Sequence, residues 1–320
     1  MLSRVADSLY WMSRYLERAE NTVRLLNINM DLMLDKSGTS AERRWQRVLA
    51  TLGDPEGVSW NGNVYDIVDT LCFDDSIPQS VTSCIVLARE NARQVREEIS
   101  SEQWQRLNRL FHEVTTQADA DRTELRLADF LPSVVDGIHL FQGVTDTTLS
   151  HGEGWQFIQI GRYIERASST ARLLEFYHRD TFTTPEESHD GFEYLEWIGL
   201  LRTCTAFEAY CKVYTADLTY DRILEFLLLD ADFPHSIRFC IDGLVHALRD
   251  IQQDSRGHHA EELMRLSGRL QASLRYGQID EIIEREAGTY LQRILDLCLQ
   301  IHELIYEVYI RYSVQTALAM

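Results

Sequence analysis

The chain has 320 residues and a formal net charge of −19, from 31 basic and 50 acidic side chains. A surface this acidic repels phosphate backbones and anionic headgroups, which disfavours nucleic acid and membranes as partners. With 45% hydrophobic residues but only 5 prolines and 16 glycines, the composition supplies a large core and few chain breaks, so it favours an all-α fold of long helices.

The opening segment, "MLSRVADSLYWMSRYLERAE", carries charges throughout and lacks the apolar run of a signal peptide. No stretch of about 18 apolar residues follows anywhere, so a cytoplasmic location is expected. Leu9, Met12, Leu16, Ala19, Val23, Leu26 and Met30 recur at alternating steps of three and four, the apolar face of one long helix. "GTSAERRWQRVLATLG" reads as a second helix, capped by Ser40 and stopped by Gly53. A loop over residues 53–63 comes next. Asp75 or Ser76 is then expected to cap a helix carrying Pro78 in its first turn. A turn at "HGEGW", residues 151–155, leads into another long helix. Residues 180–190, "DTFTTPEESHD", have linker composition. The segment starting at Ile279 reads as a final, single amphipathic helix.

Two of these segments are nearly the same. "SRYLERAENTVRLL" starts at Ser13 and "GRYIERASSTARLL" starts at Gly161; aligned without gaps, each residue stands 148 positions from its match. Arg14, Glu17, Arg18 and Arg24 recur as Arg162, Glu165, Arg166 and Arg172. Trp45 and Leu49 recur as Trp197 and Leu201, and Asp74, Pro78, Ser80 and Cys84 recur as Asp230, Pro234, Ser236 and Cys240. Three matches in the same order predict a tandem duplication. Residues 1–150 would form the first helical repeat and residues 151–320 the second, packed as one all-α bundle related by a pseudo-two-fold axis.

At 100° per residue, Arg14, Glu17, Arg18 and Arg24 lie opposite the apolar seam. A solvated face with pairs such as Arg14–Glu17 is the simplest account. That side is apolar above and below the charges, however, with Tyr10, Leu25 and Ile28 in one copy and Ile158, Leu173 and Phe176 in the other. Charges enclosed in this way must be paired. Two further readings follow: a structural ion network joining the central helices, or a site where arginines hold a carboxylate or phosphate.

Other chemistry is sparse. The six cysteines have no CxxC spacing and read as buried and reduced. Glu175 and His178 form one Glu-x-x-His pair, whereas a di-iron bundle needs two. His258 and His259 are helix neighbours and make a poor chelate. No metal or cofactor is expected from these patterns, and no P-loop or nucleophile elbow is present.

The opening helix, the "SIPQSVTSCIVLARENARQVREEIS" segment and "GEGWQFIQIGRYIERASSTARLL" together resemble the bacterial alpha-E family, with Glu17-Arg18 and Glu165-Arg166 on its Glu-Arg motif. The likeness runs along essentially the whole chain. It implies an all-helical fold and no established catalytic activity. It also implies a gene neighbourhood containing a circularly permuted ATP-grasp protein and a transglutaminase-like peptidase. The function it suggests is a non-catalytic partner or substrate-presenting subunit of a peptide ligase system. The alternative is an enzyme or peptide-binding module with an Arg/Glu-lined cavity between the repeats.

Overall fold

The computed structural model describes residues 1–34, 40–118, 124–183, 190–215, 217–251, 258–284 and 286–311. Two long helices form its axis, α1 (Ser3–Leu34) and α7 (Glu153–Thr183). Each buries an apolar stripe along most of its length. In α1, Leu9, Met12, Leu16, Ala19, Val23 and Leu26 are buried, as the spacing predicts, and Tyr10 and Leu25 on the opposite side are buried too. In α7 the buried set includes Ile158, Ile160, Ile164, Ala167, Ala171 and Leu174. Both helices are therefore covered on nearly every side.

The helices cross at small residues. A Cβ added at Gly161 would lie 2.4 Å from the Tyr10 carbonyl oxygen and 3.2 Å from Ser13 Cβ. Ser13 Oγ donates to the Ile158 carbonyl at 2.6 Å. Gly161 and Ser13 are aligned positions of the two similar segments, so the helices cross at matching places in those segments.

Between the long helices come α2 (Ala41–Thr51), α3 (Val64–Phe73), α4 (Val81–Gln94), α5 (Ser101–Ala118) and α6 (Glu124–Thr148). After α7 come α8 (Asp190–Thr203), α9 (Phe207–Tyr214), α10 (Tyr220–Leu229), α11 (Ile237–Ile251), α12 (His258–Tyr276), α13 (Ile279–Glu284) and α14 (Ala287–Ile305). A π turn, Tyr306–Ile310, extends the last helix. No strand occurs among the described residues. Helix α4 packs on α1 as α11 packs on α7, and α6 packs on α1 as α14 packs on α7. The α4–α5–α6 succession of contacts is matched by α11–α12–α14.

Several boundaries differ from the sequence reading. Helix α2 has its expected cap, Ser40 Oγ accepting from the Arg43 amide at 3.2 Å, and Gly53 takes φ +87° beyond its end. Helix α4 starts later than expected. Its cap is Ser80, which accepts from the Ser83 amide at 3.1 Å, and Pro78 precedes the helix. Asp74 Oδ1 instead accepts from the Ser76 amide at 2.9 Å, a local turn that competes with helix initiation. A residue before proline also avoids the helical region, which delays the start past Ile77. The final segment is interrupted between α13 and α14, where Glu286 takes φ +65°. The proposed linker at 180–190 is partly helical: α7 runs to Thr183 and α8 begins at Asp190, while 184–189 lie outside the described residues.

Candidate functional site

The repeated charges pair between α1 and α7. Arg166 donates from Nε to Glu17 Oε1 at 2.5 Å and from Nη2 to Oε2 at 2.9 Å. Arg18 donates from Nε to Glu165 Oε1 at 2.7 Å and from Nη2 to Oε2 at 3.2 Å. Each Glu-Arg dipeptide thus gives its arginine to the other copy's glutamate. Both contacts are two-point forks, which fix the orientation of each guanidinium as well as its position. The solvated i,i+3 pair Arg14–Glu17 is replaced by an interhelical one, because Arg14 Nε donates to Glu165 Oε2 at 2.7 Å.

The two halves of this network are not equivalent. The Glu17 side chain is 1% exposed and that of Arg166 8%. The Arg166 fork is extended by Nη1, which donates to the Pro234 carbonyl at 3.3 Å. Burial pushes the Glu17 carboxyl up, against the opposing pull of Arg166, and the neighbouring Glu20 adds to the rise. Burial also acts on Glu165, but Arg14 and Arg18 together outweigh it and hold that carboxyl at about 2. Arg18 is 27% exposed, so this half reaches solvent.

The other candidate residues fall into different settings. Arg24 donates from Nε and Nη2 to Glu20 Oε1, at 3.0 and 2.8 Å. Glu20 also accepts from Gln142 at 3.2 Å and contacts His139 Nε2 at 3.0 Å. Its carboxyl is lowered because His139 and Arg24 overcome the cost of burial. Arg162 does not copy Arg14: its Nη2 donates to Gln159 within its own helix, and its Nε is buried without a hydrogen-bond partner among the described residues. Arg172, the counterpart of Arg24, is exposed, and Ser168 stands where Glu20 would provide a partner. Of the eight arginines and glutamates singled out, five join the α1–α7 network: Arg14, Glu17, Arg18, Glu165 and Arg166.

Sequence reasoning missed a second interhelical cluster. Arg44 Nη2 donates to Glu196 Oε1 at 2.5 Å, and Arg47 donates to Glu196 Oε2. These residues adjoin the Trp45–Trp197 match, which already pointed to them. It also missed His302, because that residue lies outside the repeated segment. Tyr10 Oη stands 2.7 Å from His302 Nδ1, and Arg14 Nη1 is 3.2 Å from the same nitrogen. Both neighbours are donors, so Nδ1 accepts and the ring is neutral. Burial, with help from Arg14, lowers His302 to about 4.

A cleft of about 700 Å³ opens beside the Glu165 half. Arg14, Arg18, Glu165, Arg172 and His302 line it, as do Ser168 and Ser169. Asn21 also lines it, and its Nδ2 is buried without a hydrogen-bond partner among the described residues. Cys204 and Cys298 reach the same space, but burial pushes their thiols up to about 12 and about 11. Those two sulfurs are protonated at neutral pH and are poor nucleophiles. A separate cavity of about 770 Å³ also borders His302 and is lined by Trp11, His259, Glu262 and Tyr306.

Of the isolated Glu-x-x-His pair, His178 Nδ1 lies 2.5 Å from Tyr220 Oη and Glu175 lines the cleft beside Glu165. At the start of α12, His258, His259 and Glu262 can each offer a donor atom within 4.8 Å of the others. The two histidines do not face each other directly, but Glu262 is three and four residues away from them and draws the set together. The histidines are exposed and Glu262 half-buried.

Residues 1–310 match the Alpha-E family model, described as a predicted alpha-helical domain with a conserved ER motif. The chain belongs to the Alpha-E family. It is 24% identical over 325 residues to uncharacterized proteins of Mycobacterium bovis and Mycobacterium tuberculosis. The match covers 95% of this chain but only 36% of those proteins, so the chain spans about a third of their length. No solved structure matches. No helix among the described residues is long and apolar enough to cross a membrane.

Proposed function

We propose that the chain is a non-catalytic, cytoplasmic helical subunit that holds a peptide-like substrate for an ATP-grasp ligase. The observation that carries this reading is the open half of the Glu-Arg network. Arg14 and Arg18 bind Glu165 at the edge of a cleft large enough for a small molecule or short peptide. The cleft's protonated thiols and neutral His302 suit binding and orientation better than nucleophilic attack. In this reading the acyl-phosphate chemistry belongs to the partner, and a transglutaminase-like peptidase acts on the same peptide pool.

The partnership itself rests on the family resemblance. The longer mycobacterial relatives support it in one respect: there the matching region is joined to further polypeptide, as a module working beside another would be. We also propose that the chain is a tandem duplication. This reading is supported by the matched segments and by reciprocal forks between equivalent positions, with residues 1–150 and 151–320 as the two repeats.

Co-purification with the neighbouring ATP-grasp protein, followed by ATP turnover with and without this chain, tests the proposal. A stable complex with altered turnover is expected. Absence of both would overturn the partnership and favour a free-standing enzyme or peptide-binding module, the second reading that the cleft supports.

A further inference from the structure

We infer that the cleft beside Glu165 binds a short linear peptide with both ends free, its carboxylate toward Arg14 and Arg18 and its ammonium toward Asp54, Glu175 and Asp296. This deepens the substrate-holding reading above and rests on it. Charge is unevenly distributed along the cleft. At one end Arg14 and Arg18 share a single carboxylate, Glu165, which leaves one positive charge in excess. His302 at that end is neutral and adds none.

The other end is acidic. Glu175 lies ten residues beyond Glu165 along α7, an axial distance of ~15 Å. Asp296 precedes His302 by six residues in α14, or ~9 Å. Asp54 reaches the cleft from the turn after α2, a helix that meets the late part of α7 through Arg47 and its contacts with Tyr177 and Asp180. Arg172, three residues before Glu175 on α7, is the cation that lines the cleft with these three acids. The acids exceed it by two charges.

On α7 Leu173 stands between Glu165 and Glu175, and on α14 Leu299 stands between Asp296 and His302; Leu25, Phe176 and Leu295 add further apolar lining. Asn21, Ser168 and Ser169 add hydrogen-bonding groups suited to a peptide backbone. A single anion such as phosphate would satisfy the arginine end and meet repulsion from the acids. An extended peptide gains ~3.3–3.6 Å per residue, so four residues span ~14 Å and connect the two charged ends. A lone amino acid is too short to do so.

Calorimetric titration of the purified chain with tetra-alanine provides the test. Saturable binding is expected, weakened tenfold or more by N-acetylation and, separately, by C-terminal amidation. Alanine alone should bind at least tenfold more weakly than tetra-alanine. Asp296 is exposed, so Asp296→Asn should fold normally. That variant should weaken tetra-alanine at least threefold and leave the N-acetylated peptide unchanged. Absence of saturable binding at millimolar peptide, or equal binding of free and blocked peptides, would overturn the inference. Either result is separable from the partnership: a complex with the ligase but no peptide binding sinks only this inference. Peptide binding without a complex sinks only the partnership.

Discussion

The two Glu-Arg dipeptides have the same sequence, the same helical position and reciprocal partners, yet their environments diverge. Glu17–Arg166 is enclosed, with one guanidinium serving one carboxylate and the Pro234 carbonyl. Glu165 takes two guanidinium groups and borders a cleft. The difference arises from neighbours outside the motif. Arg14 reaches across to Glu165, whereas its counterpart Arg162 turns to Gln159 on its own helix. The same dipeptide thus sits in an enclosed ion pair at one place and on the wall of a cleft at the other, on the same pair of helices.

Breaking the enclosed half should have the largest effect. Replacing Glu17 with Gln removes the carboxylate that Arg166 forks onto and leaves that buried guanidinium only the more distant charge of Glu20, at a cost of ~3 kcal/mol or more. Replacing Glu17 and Arg166 together by Met should recover most of that loss, since a well-packed apolar pair has no ionic desolvation cost. Chemical denaturation of the single and double variants measures both effects.

The helix crossing comes next. Gly161→Ala places a methyl group within 2.4 Å of the Tyr10 carbonyl, and backbone cannot step aside as a flexible side chain can. Forced separation of α1 and α7 should cost ~1–3 kcal/mol. The same denaturation series reports it. A variant as stable as the parent would mean that α1 and α7 do not meet at Gly161.

A pH series sharpens the comparison further. His302 is lowered to about 4, and burial also places His235 well below its ordinary value. In the unfolded chain both bind protons near the ordinary histidine pKa, so between about pH 6.5 and 4 the unfolded state holds more protons than the folded one. Stability is thus full above that window and falls as pH drops through it. Glu165 acts in the same direction at lower pH, as its carboxyl protonates toward about 2. His302→Gln should flatten the slope of melting temperature between pH 7 and 5. An unchanged slope would remove His302 as a contributor.

The smallest effect is expected at α12. His258→Ala and His259→Ala alter exposed side chains and should change stability by no more than ~0.5 kcal/mol.

Much of the architecture is legible in the sequence because periodicity reports burial directly. The stripe from Leu9 to Leu26 predicts the long central helix, and charges bracketed by apolar residues indicate an enclosed network. Local competition is harder to read. The Asp74–Ser76 turn and the bond from the Ser83 amide to Ser80 shift the start of α4 past Pro78. The interruption at Glu286 leaves the apolar period on either side intact, so periodicity alone joins α13 to α14. The match between segments identifies equivalent residues but does not distinguish their surroundings, so Arg24 and Arg172 look alike until Glu20 and Ser168 are compared. His302 has no local signal, because its role depends on Tyr10 and Arg14 nearly the whole chain away.

The most direct test compares the thermal melting of Glu17→Gln and Glu165→Gln at neutral pH. The enclosed and open halves should respond differently: Glu17→Gln is expected to lower the melting temperature by ~6 °C or more, and Glu165→Gln by clearly less, because water reaches Arg18. Equal losses, or a larger loss for Glu165→Gln, would contradict the division of the two motifs into a clamp and a site.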